Sequence, residues 1–253
     1  MKLRELVEYL DRELNLVAFA GDHSNNGLQV EGGEAVQLAV FGVDASQALI
    51  DFAVDCGADF IFAHHGLSWG GEPKRLIGME AARFGKMFRA GISLYAAHLP
   101  LDAHPRLGNN AELSRLAGLG GLQPFCHYDG VDIGFIGSAA PGSTPESLGR
   151  RFATELGCEP RIFGDGGRQP TRVAVVSGGG GLGALLEASA RGADLLITGE
   201  MEHVMYHPAR ELGVTVLALG HYASETTGPR ALMGEVARRF GIETRFAELP
   251  TGL

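Results

Sequence analysis

Cysteine is scarce in this chain. The three present, Cys56, Cys126 and Cys158, are odd in number, far apart and in no C-x-x-C pattern. Neither a disulfide framework nor a zinc knuckle is indicated, and a reducing cytoplasm is the expected setting. Positive charge is also short, with 21 Lys and Arg against 30 Asp and Glu and a formal net charge of −9. Without a strong basic field to draw phosphates, nucleic acid and anionic membranes are excluded as the main partner; the nearest basic patch is Arg150-Arg151. No run of ~18 apolar residues is available to span a bilayer. The opening "MKLRELVEYLDRELNL" spaces its apolar residues helically among acids, unlike the unbroken apolar core of a signal peptide. No export, anchoring or transmembrane segment is expected.

What the chain does have is 253 residues at 45% hydrophobic content, enough for one large or two small domains. Short apolar runs alternate with longer amphipathic stretches, the pattern of β-α-β units. Strands are expected at 36–43, 59–64, 92–98, 131–138, 172–178, 194–199 and 214–220. Helices are expected in "SQALIDFAVDCG" and "LGALLEASARG", each closed by a glycine. The segment from Leu38, "LAVFGVDASQALIDFAVDCGADFIFAHHG", lies without gaps on "VAVVSGGGGLGALLEASARGADLLITGEM" from Val173, and both contain "GAD". With a one-residue slip, His98 and Asp102 in one half then match His221 and Glu225 in the other. Internal duplication follows as the expected origin. The expected fold is α/β: two duplicated, interlocked lobes, 1–125 and 126–253, with mainly parallel or mixed sheets flanked by helices.

In parallel sheets ligands gather at the carboxyl ends of strands, so residues just after each apolar run carry the chemistry. His64 and His65 stand at one such end. An isolated His-His pair is a satisfied core histidine beside a solvated one, and for both rings to meet one site the chain must turn, as Gly66 permits. Asp102 follows a second strand end, and His221 with Glu225 a third. Three imidazoles and two carboxylates are too many for one structural zinc and suit two ions sharing a bridging carboxylate. The His-x-x-x-acid spacing puts both groups on one helix face. Taken singly, Glu225 is a helix-start acid facing the macrodipole and Asp102 stabilises a turn near Pro100 and Pro105.

The stretches "SNNGLQVEG", "GADFIFAHHGLSWGGE", "LYAAHLPLDAHPRLGNNAEL", "ITGEMEH" and "GHYASE" resemble, in this order, the Nif-three-like family, also called the GTP cyclohydrolase 1 type 2 homologs, in its short bacterial form. The motifs run from about residue 24 to 225. The resemblance implies a dinuclear metal protein assembled as a toroidal homohexamer, with His64, His65, Asp102, His221 and Glu225 as ligands and Glu225 as the bridge. It leaves His98 as a group near the metals or a proton carrier. "HHG" replaces the "HHP" of many relatives, and the large insertion that some carry between the lobes is absent.

Two cations ~4 Å apart acidify a shared water and align an anionic or carbonyl-bearing substrate, so hydrolysis of a nucleotide or other small molecule, of cyclic amidine or phosphoester type, is the enzymatic expectation. A non-catalytic metal carrier using the same ligands is the alternative, and an interaction scaffold with structural metals a weaker third. Nitrogen and oxygen ligands admit iron, manganese, zinc, cobalt or nickel. "SGGGGLG" at 177–183 reads as a tight β-α turn, or as a phosphate cradle if a nucleotide binds, although it lacks a Walker lysine. Glu200, which aligns with His65 in the duplicated frame, is placed to approach the site, whereas Glu202, His203 and His207 read as surface or cavity-lining residues. Asn25 and Asn26 form a turn before Gly27, and Asn109 or Asn110 is expected to cap a helix.

Overall fold

The structure, a computed structural model, describes residues 1–70 and 75–253. The last two residues of "GADFIFAHHGLSWGGE" fall outside the described residues. The chain divides into two compact units, Met1–Leu101 with Pro229–Leu249, and Asp102–Gly228 with Pro250–Leu253. This differs from lobes divided at 125/126, and strand pairing supplies the reason. A C-terminal strand pairs in parallel with the strand at Leu38 and so completes the first sheet, whereas the hairpin strand that starts at Gly120 belongs to the second.

The first unit runs α1 (Leu3–Glu13), β1 (Gly27–Val30), β2 (Leu38–Asp44), α2 (Gln47–Asp55), β3 (Phe60–His65), α3 (Met79–Ala90) and β4 (Ser93–Ala96). A short helix α4 (Leu99–Asp102) carries the chain across the division. Most of α10 (Thr227–Phe240) and β11 (Glu243–Phe246) belong to the first unit. Its sheet order is β1-β4-β3-β2-β11, parallel except for antiparallel β1. The central strands are apolar throughout because both faces are covered. Val40, Ile61 and Leu94 pack with Leu49, Ile50 and Ala53 of α2 and Met87 of α3. Alternation sends Phe41, Phe62 and Tyr95 to the other face, where Phe41 and Phe62 stack at 5.4 Å and the Tyr95 hydroxyl donates to Asp11 Oδ1 of α1 at 2.9 Å.

The second unit contains α5 (Asn109–Ala117), β5 (Gly120–Tyr128), β6 (Val131–Ser138), α6 (Pro145–Leu156), β7 (Arg161–Phe163), β8 (Arg172–Val176) and α7 (Gly181–Ala190). It continues with β9 (Leu195–Thr198), α8 (Tyr206–Leu212), β10 (Thr215–Ala218) and α9 (His221–Ser224). The order is β5-β6-β8-β9-β10-β7, with β8, β9 and β10 parallel and the rest antiparallel. Ala174, Val176 and Leu196 pack with α7, and Val173, Val175 and Ile197 with α5 and α6. The elements β2-α2-β3 and β8-α7-β9 recur at the spacing of the sequence repeat. Both strand trios therefore deliver carboxyl ends to the same edge of their own sheet. No helix among the described residues is long and apolar enough to cross a membrane.

Candidate metal centre

In the first unit, β3 ends in His64 and His65, and His98 follows β4 by two residues. The three rings converge, with centroids 4.6 Å apart for His64 and His65, 5.3 Å for His64 and His98 and 5.6 Å for His65 and His98. Each offers one ligand nitrogen, and those nitrogens lie within 4.8 Å of one another. The strand continues through His65, so the expected turn at Gly66 is not what brings the rings together. Gly66 is instead required by space, because a Cβ there would lie 2.5 Å from Ala96 Cβ and overlap the Gln29 side chain.

Every ring of this cluster is held at Nδ1. His64, fully buried, has Nδ1 2.9 Å from the Ala97 carbonyl oxygen. A carbonyl only accepts, so Nδ1 carries a proton, and in the neutral form of the ring the lone pair lies on Nε2. His65 Nδ1 lies 2.8 Å from Asp44 Oδ1, at the end of the neighbouring strand β2 in matching register. His98 Nδ1 lies 3.0 Å from Asp22 Oδ1. Asp22 Oδ2 accepts from Asn26 Nδ2 and from the Leu99 amide, and Asn26 Oδ1 accepts from the His98 amide at 2.8 Å. Burial alone would raise the Asp22 carboxyl, but the hydrogen bonds from His98, Asn26 and the Ser24 amide outweigh it and bring the pKa down to about 2.

Trp69 walls this cluster, its ring meeting His98 edge-on at 5.1 Å. The loop beneath it is fixed: Gln29 Oε1 accepts from the Leu67 and Ser68 amides, and Asn25 Nδ2 donates to Ser68 Oγ and the Gly70 carbonyl.

The second unit carries Asp102, His221 and Glu225. Asp102, nearly buried, takes hydrogen bonds at Oδ1 from Asn109 Nδ2 and Ser177 Oγ, both at 2.9 Å. Asn109 Oδ1 in turn accepts from the Gly228 amide, and Asn110 Oδ1 from the Ser177 amide. Neither asparagine caps α5, whose cap position is Gly108 without a side-chain bond. The expected capping role gives way to a buried lattice that orients Asp102.

His221 opens the four-residue α9, and Glu225 follows it two residues before the long α10, near that helix's start as expected, with the short α9 as the unexpected addition. Glu225 Oε2 approaches His221 Nε2 at 3.2 Å. On the other side of the ring, Nδ1 lies 2.5 Å from Glu200 Oε1. The hydrogen bond with Glu225, followed by that with Glu200, outweighs burial and lifts the His221 pKa to about 9.

The glycine tract also changes meaning. Gly178 takes φ +57°, and a Cβ on it would overlap Glu225 Oε1 and lie 3.2 Å from His221 Nε2. With Ser177 on Asp102 and Gly178 under Glu225, the tract forms the floor beneath two carboxylates.

Asp44 and Ser177 escaped the sequence reading, although both follow the strand-end rule that found the histidines. Asp22 lies in an irregular loop and carried no signal. Imidazoles held at Nδ1 and carboxylates fixed by hydrogen bonds are groups that could hold a metal ion, and the missing Cβ of Gly178 lets Glu225 and His221 approach the chain there.

Fold and side chains together define an α/β protein with His, Asp and Glu groups that could hold metal ions. The chain belongs to the Duf34/NIF3 (NGG1p interacting factor 3) family, whose pattern matches residues 1–251. It is 46% identical over 250 residues to a protein of Pyrococcus horikoshii named "GTP cyclohydrolase 1 type 2 homolog", with 98% of each chain covered. An Escherichia coli K12 protein of the same name is 40% identical over 255 residues, with 99% of each covered. Among solved structures, the protein ybgI, described as of unknown function, matches with TM-score 0.91 at 38% identity over 100% of both chains. Reduced HcgD from Methanocaldococcus jannaschii matches with TM-score 0.85 at 25% identity, 98% of each chain being covered.

Proposed function

We propose that this protein is a dinuclear metal-dependent hydrolase of a nucleotide or other small molecule. The proposed ligands are His64, His65, Asp102, His221 and Glu225, with Glu225 bridging two ions and His98 moving protons beside them. The observation that carries this reading is the anchoring of four imidazoles at Nδ1, by Ala97 O, Asp44, Asp22 and Glu200. Core histidines need one such partner by chance; four at strand ends is the outer support that metal-binding histidines require. The donors suit iron, manganese, zinc, cobalt or nickel. Divalent ions held there supply Lewis acidity, polarising a carbonyl or phosphoryl oxygen and acidifying water.

The chain's own groups do the rest. Asp102 is locked at Oδ1 by Asn109 and Ser177, which aims its other oxygen. His98, steadied by Asp22 at Nδ1, can exchange a proton at Nε2. Trp69 shields one side of the histidines from water. The relatives' name makes purine nucleotides the first substrates to try, an argument from kinship and not from the site. A toroidal homohexamer in the cytoplasm completes the proposal, the latter supported by three free cysteines.

Metal analysis of gently purified protein, then a screen of the reconstituted form against nucleotides, phosphoesters and cyclic amides, tests it. About two ions per chain are expected, lost in His64→Ala with Glu225→Ala, and turnover that Asp102→Ala abolishes. One ion or none in saturated wild type sinks the dinuclear reading. Two ions that pass to an acceptor protein without any turnover would favour the carrier instead.

A further inference from the structure

The sheet of the second unit carries a cavity of about 550 Å³ at the start of β10, the strand end opposite His221, and its lining includes Phe163, Asp165, Arg168, Tyr206, Arg210 and Thr215. That volume lies in the range of small-molecule pockets. Its construction begins at β7, the sheet edge, where Phe163 pairs with Val216, so the chain leaving β7 passes over the start of β10. Gly164 takes φ +131°, and a Cβ there would fall 2.7 Å from Thr215 Oγ1 and 3.0 Å from Thr215 Cα. The Asp165 amide donates to Thr215 Oγ1 at 3.2 Å. Asp165 Oδ1 accepts from the Gly167 and Arg168 amides at 3.0 and 3.1 Å, which fixes the turn carrying Arg168 and occupies the one acid of the wall. On α8, Arg210 donates to the Tyr206 hydroxyl at 3.1 Å and lies 5.8 Å from its ring centroid.

Two arginines line this wall, and among the described residues neither has a carboxylate within ion-pair distance. With Asp165 as the one acid among the lining residues, the wall carries two positive charges against one negative in a chain of net charge −9. The fold alone does not produce it. In the first unit β1 flanks β4 as β7 flanks β10, and the Gly32 amide donates to Ser93 Oγ as Asp165 does to Thr215. There the cavity is about 410 Å³, is lined by Lys2, Arg4 and Val7 from the N-terminal segment, and its loop carries Glu31 and Glu34.

We propose that the cavity of the second unit binds a small organic anion with a planar body. A phosphate or carboxylate head sits against the guanidiniums of Arg168 and Arg210, and a ring packs against Phe163 and Tyr206.

Calorimetric titration of the metal-loaded full chain tests this, with adenosine 5′-monophosphate as probe and adenosine and inorganic phosphate as its two halves. Saturable binding of the monophosphate is expected, with each half at least about tenfold weaker. Arg168→Ala with Arg210→Ala should weaken it by at least about tenfold, and Arg168→Glu alone, at an exposed position, should do likewise. His64→Ala with Glu225→Ala should leave the arginine-dependent component of the binding unchanged, which separates this site from the metal centre, where any nucleotide bound as substrate would be lost. No saturable binding, binding unaltered by the arginine substitutions, or an arginine-dependent component lost with the metal ligands would each overturn the proposal. A change in oligomeric mass without a change in affinity on substituting the arginines would overturn it too, by making the cavity a contact between copies.

Discussion

Asp22 shows how much of the centre rests on residues that touch no ion. Its side chain is 2% exposed, and it holds His98 Nδ1, Asn26 and the Leu99 amide together. Asp22→Asn keeps the shape but removes the charge and turns one oxygen into a donor. It should destabilise the fold by ~1–3 kcal/mol, and weaken metal binding about 10–100-fold. Trp69, the one tryptophan, lies 5.1 Å from His98 and reports the loss through its fluorescence titration with cobalt or nickel. An unchanged titration would remove Asp22 from the site's support. Because its folded pKa is depressed from 3.8 to about 2, the stability it contributes is present above pH 3.8 and is lost as pH falls through 2. His221 behaves with the opposite sign. Its pKa is raised from 6.5 to about 9 by Glu225 first, so in metal-free protein its contribution is full below pH 6.5 and lost as pH rises through 9. A metal ion must displace that proton, so loading at pH 7 should release it, and affinity should climb until about pH 9. Calorimetry in buffers of different ionisation enthalpy measures the release; affinity flat between pH 7 and 9 would contradict it.

At the scale of elements, most of what could be read from the sequence was what is buried on both faces, β6 at Val131–Ser138 being the expected strand that is partly exposed. The runs around Leu38, Phe60, Ser93, Arg172, Leu195 and Thr215 are strands because apolar residues continue without alternation through a covered sheet. β1, β7 and β11 were missed: they are three or four residues long, and in β7 and β11 charged residues meet solvent. β5 was missed because Gly121 at φ +60° and Pro124 interrupt an exposed edge strand. The same logic governs the site. Histidines at strand ends were legible, whereas Asn109 and Asn110 sat at a helix start, where local rules favour a cap and only the tertiary contact with Asp102 decides otherwise. The turn after β8 is such a case with a measurable consequence. Gly178→Ala forces a side chain into a left-handed position, which costs ~1–2 kcal/mol, and pushes against Glu225 and His221. It should lower the midpoint of thermal unfolding and cut the bound metal. Gly179→Ala is the control, since its Cβ would have Glu200 Oε2 at 3.8 Å as nearest neighbour. Equal metal content in the two variants would show that the tract is only a turn.

For the whole molecule, the two similar strand trios recur at the spacing of the sequence repeat, and apolar side chains remain exposed to water outside them. Leu76, Ile77, Met79 and Phe88 are 54, 63, 61 and 58% exposed, all on or just before α3. Single exposed apolar residues are ordinary, but Leu76, Ile77 and Met79 fall together just before and at the start of α3, the kind of exposure that association covers, whereas Phe88, nine residues on, lies on the opposite face of the helix. A self-associating protein of net charge −9 must overcome repulsion between copies, which salt screens and apolar burial offsets. If the homohexamer proposal is right, sedimentation should give six chains of 26.7 kDa, 6 × 26.7 or about 160 kDa. The assembly should strengthen with added salt. Ile77→Asp with Met79→Asp, both at exposed positions, should shift the mass downward without loss of the folded circular dichroism spectrum. A wild-type mass of one chain at any salt concentration would end the proposal. A hexamer indifferent to the two substitutions would move its contacts away from α3.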